Sequence, residues 1–250
     1  AQLVADLALL GEDHYAMAGA TSEFVMLHCQ PCKEEFAKNG MVALSGISTA
    51  PYVLLTTKPI IDIADMQGVK LRTGGSVWDR WAVRLGAEPV NVPSSEMYDT
   101  MSHGVVTAAV QPIGALKGHS LIEVAKHLTE LPLGTYHSGS IFAVGPKFWA
   151  SLSPEQREQF AKKIPEAVAQ TEVYYETDDL DVLKEASDLG LEVHEPSPEF
   201  LQDLIDFRTA DLEEIARISR EERGIEDPDP LIATYRELIE KWHGLTGPLQ

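Results

Sequence analysis

The feature that most constrains the fold lies past the midpoint of the chain. Ser153-Pro154-Glu155-Gln156 is a capping box with proline at the first helical position, and no glycine follows it until Gly190. Carried to Leu189, with a kink expected at Pro165, such a helix of ~35 residues would be about 50 Å long at ~1.5 Å per residue. That is more than one small domain needs, so the spacing predicts a helix running across two lobes.

Before residue 150, short apolar runs alternate with amphipathic segments, the grammar of an α/β protein with largely parallel sheets. Strands are expected at Asp6–Leu10, Met41–Leu44, Tyr52–Thr56, Val69–Arg72, Pro89–Val92, Val105–Val110 and Ile141–Val144. Pro93-Ser94-Ser95-Glu96 offers N-capping hydroxyls to a helix that ends near Gly104, and Val77–Leu85 reads as a helix closed by Gly86. After residue 150 the pattern becomes helix upon helix. Ser197-Pro198-Glu199 opens a second long one, and Asp227-Pro228 and Asp229-Pro230 introduce a last one. A chain of 250 residues accommodates one large domain or two small ones.

Composition excludes several classes of function. Hydrophobic residues make up 44% of the chain, yet no apolar run approaches the roughly 20 residues that span a bilayer, so stable membrane insertion is not expected. A net charge of -19 argues against nucleic acid as a partner. Residues 151–250 hold 25 Asp and Glu against 10 Lys and Arg, whereas residues 1–150 hold 14 against 10. The acidity therefore belongs to the helical C-terminal region, and the near-neutral part carries the cations suited to an anionic ligand. The opening Ala1-Gln2-Leu3-Val4 has no charged leader or long apolar core, as in a cytosolic protein, a mature secreted one or a fragment.

Within the near-neutral part, Lys70-Leu71-Arg72-Thr73-Gly74-Gly75 is a basic strand-like segment running into paired glycines, with Trp78 and Trp81 close behind. Arg72 has a planar guanidinium able to grip a carboxylate through two parallel hydrogen bonds, and the glycines let the backbone approach what is held. Taken alone, an arginine ending a strand is ordinarily a surface ion pair.

Both cysteines fall in His28-Cys29-Gln30-Pro31-Cys32, after the apolar Phe24–Leu27 and before a helical-looking Lys33–Lys38. Strand, CxPC and helix together suggest a thioredoxin-like thiol-disulfide site. Against it, His28 stands where that family has tryptophan, and Pro51 follows too closely to be its cis-proline. A structural disulfide, Cys29–Cys32, or a pair of thiols is the plainer reading, and two Cys with one His fall short of a structural zinc set. The eight histidines are scattered, with no HExxH, and neither GxSxG nor GxxxxGK[ST] occurs. Asp178, Asp179 and Asp181 read as a solvated helix face. No catalytic constellation emerges and no cofactor is expected.

Three further segments change the weight on Arg72. The run Ile63-Ala64-Asp65-Met66-Gln67-Gly68-Val69-Lys70-Leu71-Arg72 is followed by Leu85-Gly86-Ala87-Glu88-Pro89-Val90, by Ser95-Glu96-Met97-Tyr98 and by Gly104-Val105-Val106. In order and spacing over residues 60–111 this resembles the solute-binding proteins of TRAP transporters, the DctP-like family, and the likeness extends from about Asp6 to the C-terminus. The resemblance implies a non-enzymatic, periplasmic, two-lobed α/β binding protein of type II periplasmic-binding-protein-like fold, with a long lobe-spanning helix. Such a protein closes by hinge bending on a small organic acid and delivers it to membrane permease subunits. A ligand sensor on the same fold is an alternative.

Residue by residue, the resemblance assigns the carboxylate to Arg72 and a polar ligand contact to Gln111, with Gly75 and Ser94 near the pocket. Trp78 could line the pocket or pack in the core, and Tyr136, beside His137, is a further candidate. Thr107 replaces the family's usual aspartate, and Tyr52 falls where the sialic-acid-binding branch has a second arginine, which disfavours that substrate. The expected organisation is a first lobe of residues 1–50 and 139–175, lacking its N-terminal part, and a second lobe of 51–138. Residues 176–250 hold the end of the spanning helix, a short strand and the C-terminal helices.

Overall fold

The computed structural model describes residues 2–140 and 142–247. It divides into two compact units: Ala1–Thr49 with Thr135–Tyr174 and Leu212–Gln250, and Ala50–Gly134 with Tyr175–Asp211.

The chain begins in the first unit with α1 (Gln2–Asp6), α2 (His14–Glu23) and α3 (Gln30–Lys38), followed by the short β1 (Val42–Ala43). Asp6–Leu10, expected as a strand, is instead the end of α1 and a 3-10 turn over Ala8–Leu10. Leu3, Val4, Asp6, Leu7, Ala8 and Leu9 are all buried, so the run is buried on every side and its periodicity does not distinguish strand from helix.

β2 (Ile47–Thr56) carries the chain into the second unit, where β3 (Lys70–Thr73), α4 (Ser76–Arg84), β4 (Glu88–Asn91), α5 (Met97–Ser102), β5 (Ala108–Pro112), α6 (Ala115–Gly118) and β6 (His127–Thr129) follow. The chain returns through β7 (Thr135–Ser138), β8 (Ala143–Val144) and α7 (Pro146–Ser151). Ile141, the first residue of an expected strand, lies outside the described residues.

α8 (Pro154–Asp188) is a 35-residue helix that continues through Pro165 and contributes to both units. Its start is the capping box: Gln156 N–H donates to Ser153 Oγ at 3.2 Å, and Ser153 N–H donates to Gln156 Oε1 at 2.8 Å. β9 (Glu192–His194), α9 (Pro198–Glu221), capped by Ser197 Oγ, and α10 (Asp229–Thr246) complete the chain.

Seven strands form the main sheet in the order β4-β3-β5-β2-β6-β9, with β7 also pairing to β2, and β1 and β8 form a separate ribbon. The sheet is mixed. β3 lies parallel to β4 and β5, and β6 to β9, but β2 runs antiparallel to both β5 and β6. The expectation of largely parallel pairing fails at β2 because this strand crosses between the units instead of belonging to a βαβ repeat.

The first unit's core gathers Leu3, Phe24, Cys29, Cys32 and Tyr235, and the second unit's gathers Leu55, Met97, Leu116, Leu128 and Ala186. In the second unit Trp81 stacks on Phe200 with ring centroids 6.1 Å apart.

Candidate functional site

β3 is a central strand with β4 on one side and β5 on the other, which explains why Leu71, Arg72 and Thr73 are all buried. The strand ends at Gly74-Gly75, and α4 starts one residue later. Thr73 Oγ1 donates to Asp79 Oδ1 in the first turn of α4, tying the strand end to the helix.

Arg72 is only 6% exposed. Its Nε donates to Val92 O at 3.0 Å and its Nη2 to Ser94 Oγ at 3.2 Å. Both acceptors are neutral, and Nη1 is buried without a partner among the described residues. Burial lowers the guanidinium's pKa, with nearby Tyr52 acting in the opposite direction. The group nonetheless stays charged at neutral pH, as arginine does in proteins. Ser94 thus has a different task from the one its sequence suggests. It makes no cap for the 3-10 turn at Ser94–Glu96 or for α5, because its hydroxyl is turned to Arg72.

The surroundings of Nη1 are aromatic, beside the glycines. A Cβ on Gly74 would lie 3.5 Å from Arg72 Nη1, 3.6 Å from Trp78 and 3.7 Å from Tyr52. Trp78 is fully buried, stacks on Tyr52 at 5.0 Å and donates its indole N–H to Leu133 O at 3.0 Å. Gly75 is exposed and extended at the start of α4.

Ala109 of β5 is the register partner of Arg72, and Gln111 lies two residues further on, so strand alternation puts Arg72 and Gln111 on one face of the sheet. Gln111 is 4% exposed. Tyr136 belongs to the first unit, half-buried on β7, where its backbone N–H donates to Thr49 Oγ1 at 3.2 Å.

The cysteines make no thioredoxin-like arrangement. They are joined as a disulfide, both are nearly fully buried, and Cys29 Sγ accepts from Cys32 N–H at the start of α3. The segment before them, Phe24–His28, is a π-helical turn where that reading requires a strand. The solvated acidic face is also corrected in part: Asp179 Oδ1 accepts from Gly114 N–H at 2.7 Å.

Two polar groupings left no local signal in the sequence because their members lie far apart in it. His14 Nδ1 meets Glu172 Oε2 at 2.8 Å inside the first unit. His127, Glu192 and His194 meet on adjacent strands in the second.

The sequence model of the bacterial extracellular solute-binding proteins, family 7 (DctP), matches residues 3–217. The chain belongs to this family. A curated relative, a solute-binding protein of Albidiferax ferrireducens, is 34% identical over 99 residues, which is 40% of this chain and 29% of that protein's length. The chain thus spans less than a third of the length of that curated relative.

Solved structures agree over more of their length. A TRAP periplasmic solute-binding protein of Bordetella bronchiseptica, with bound (R)- and (S)-mandelate, superposes with a TM-score of 0.80 at 21% identity, covering 96% of this chain and 76% of the other. A marine metagenome TRAP solute-binding protein specific for aromatic acid ligands, in complex with 3-hydroxybenzoate, gives 0.82 at 20% identity over 96% and 75%. At this identity the likeness establishes the fold, a two-lobed type II α/β architecture with one long helix.

Proposed function

We propose that this DctP-family chain is the extracytoplasmic solute-binding component of a TRAP-type transporter. It takes up a small organic acid, holds the acid's carboxylate on Arg72 and delivers it to a membrane permease. The observation that carries this reading is the buried Nη1 of Arg72, a cationic donor with no acceptor among the described residues, beside an Nε and Nη2 already fixed by Val92 and Ser94.

A buried donor left unmade costs roughly 1–3 kcal/mol, more when charged. An incoming carboxylate relieves that cost and supplies the missing counter-charge. Nη2 uses one hydrogen on Ser94, so its second hydrogen remains along the edge shared with Nη1. That edge offers two parallel N–H groups to two carboxylate oxygens. Gln111, on the same sheet face, can hydrogen-bond a further oxygen of the acid. Mandelate and 3-hydroxybenzoate, the acids held by the two structural neighbours, make suitable first probes. No bond of the solute is made or broken in this reading.

Calorimetry tests it, with mandelate, 3-hydroxybenzoate and any acid found by a thermal-shift screen. Arg72→Ala abolishes binding. Arg72→Lys keeps the charge but loses the fork, weakening affinity by roughly 10–150-fold if about 1.5–3 kcal/mol of charged hydrogen bonding is lost. Unchanged affinity in both variants refutes the anchor. Delivery is checked separately, by uptake of the labelled acid into vesicles holding the permease.

A further inference from the structure

Two of the scattered histidines come together at one place. β6 and β9 run parallel at one end of the seven-stranded sheet, with His127 beside Glu192 and Thr129 beside His194. Side chains alternate along a strand, so His127, Glu192 and His194 share one face. Their donor atoms all lie within 4.8 Å of one another. His127 Nδ1 is 3.0 Å from His194 Nε2, and Glu192 Oε2 is 3.7 Å from the first and 4.0 Å from the second.

We propose that His127, His194 and Glu192 form a binding site for a divalent transition metal, Zn(II) by ligand chemistry, on this edge of the second unit. Two imidazoles and one carboxylate suit zinc, nickel or copper, whereas calcium and magnesium take oxygen donors. Zinc–ligand bonds of ~2.0–2.2 Å in a tetrahedron set donor atoms roughly 3.3 Å apart. The two nitrogens are already near that separation. The carboxylate must close by roughly half an ångström to reach it, and the Glu192 side chain, 67% exposed, is free to rotate.

The strands that carry the donors are fixed beforehand. Glu192 N–H donates to Lys126 O at 2.9 Å and Glu130 N–H to His194 O at 3.0 Å, so little backbone ordering opposes binding. Without metal, one imidazole N–H donates to the other ring; on binding, the donating ring gives that proton to water and takes one up on its other nitrogen, so each neutral ring offers one lone pair to the metal, and the Glu192 carboxylate and water complete the shell. β6 is separated from β3 by β2 and β5, which makes this site distinct from the Arg72 cluster. Its consequence is structural: it fastens β9, the strand between α8 and α9, to the sheet.

The test uses tag-free chain stripped with chelator and titrated calorimetrically with zinc chloride alone. The expected result is one equivalent bound per chain and a raised melting temperature. His127→Gln and His194→Gln each weaken binding by at least about 10–100-fold, the loss typical even of outer-shell partners. Absence of saturable binding overturns the proposal, as does unaltered binding in a folded His127→Gln/His194→Gln variant. Should the double variant not fold, Glu192→Gln decides, since its exposed side chain can be changed without disturbing the core: weaker zinc binding supports the site and equal binding overturns it.

Discussion

His137 makes acid sensitivity a measurable property of the first unit. The ring is fully buried on β7, against Tyr235 of α10 at 5.8 Å, and its Nδ1 lies 3.1 Å from Thr135 O. Burial drives its pKa from 6.5 down to about 4, more strongly than hydrogen bonding with the backbone of Val4 and Thr135 holds it up. In the unfolded chain the same ring titrates near its ordinary ~6.5. Between these values the unfolded state binds a proton that the folded state refuses, so stability falls as pH falls. The contribution is intact above about pH 6.5 and is lost progressively toward pH 4, below which no more is lost. A separation of two to three pH units amounts to roughly 3 kcal/mol at about 1.4 kcal/mol per unit. That is a large share of the ~5–15 kcal/mol by which domains are stable. The perturbation is His137→Gln, and the assay is urea unfolding followed by circular dichroism at half-unit intervals from pH 7.5 to 4. Other groups titrate in both proteins, so the quantity read is the difference between the two pH slopes. Wild type is expected to be steeper by up to about 1.4 kcal/mol per pH unit within the window. Parallel slopes would refute the reasoning, whatever the variant costs in absolute stability.

Gly74→Ala separates folding from ligand access, because the added methyl makes only ordinary contacts, the nearest at 3.5 Å to Arg72 Nη1. Stability is expected to hold or rise by about 0.4–1 kcal/mol while affinity for the bound acid falls; unchanged affinity would show that the carboxylate does not occupy the space before Nη1. The Cys29–Cys32 bridge closes a loop with a sequence separation of 3, so Cys29→Ser/Cys32→Ser is expected to lower stability by only about 2 kcal/mol in urea melts. A loss several times larger would mean the sulfurs matter chiefly through packing in the core they share with Phe24 and Tyr235.

What the sequence disclosed follows from the range of the forces involved. The start of α8 is settled within four residues, where Ser153 and Gln156 satisfy each other's backbone donors, so its cap was legible. β6 and β7 were not, because three or four residues without strict alternation carry too little pattern against turn-rich flanks. Val105–Val110 reads as one apolar strand, yet β5 starts at Ala108, since Val105 and Val106 return their N–H groups to Thr100 O and close the end of α5. His127 and His194 lie 67 residues apart and only sheet register unites them, which no local motif records.

The burial of Arg72 is the most instructive case. Nothing within Lys70–Thr73 distinguishes a buried guanidinium from a surface one, since the residues that enclose it come from elsewhere. The segments of the family resemblance supply the missing terms. Lys70-Leu71-Arg72 is β3 itself. Leu85–Val90 leads into β4, beyond which Val92 O takes Nε, and the Ser95–Tyr98 segment follows directly on Ser94, which takes Nη2. Gly104–Val106 leads into β5, which brings Ala109 alongside Arg72 and Gln111 onto the same face. Each segment is weak because it specifies one side of the guanidinium's surroundings. Their spacing is specific because the length of α4 and the turns at Gly86 and Gly104, both at positive φ, fix how many residues separate those sides. A change that preserved Arg72 but lengthened the β3–β4 connection would therefore be expected to expose it, removing both fixed acceptors together and returning the arginine to an ordinary surface charge.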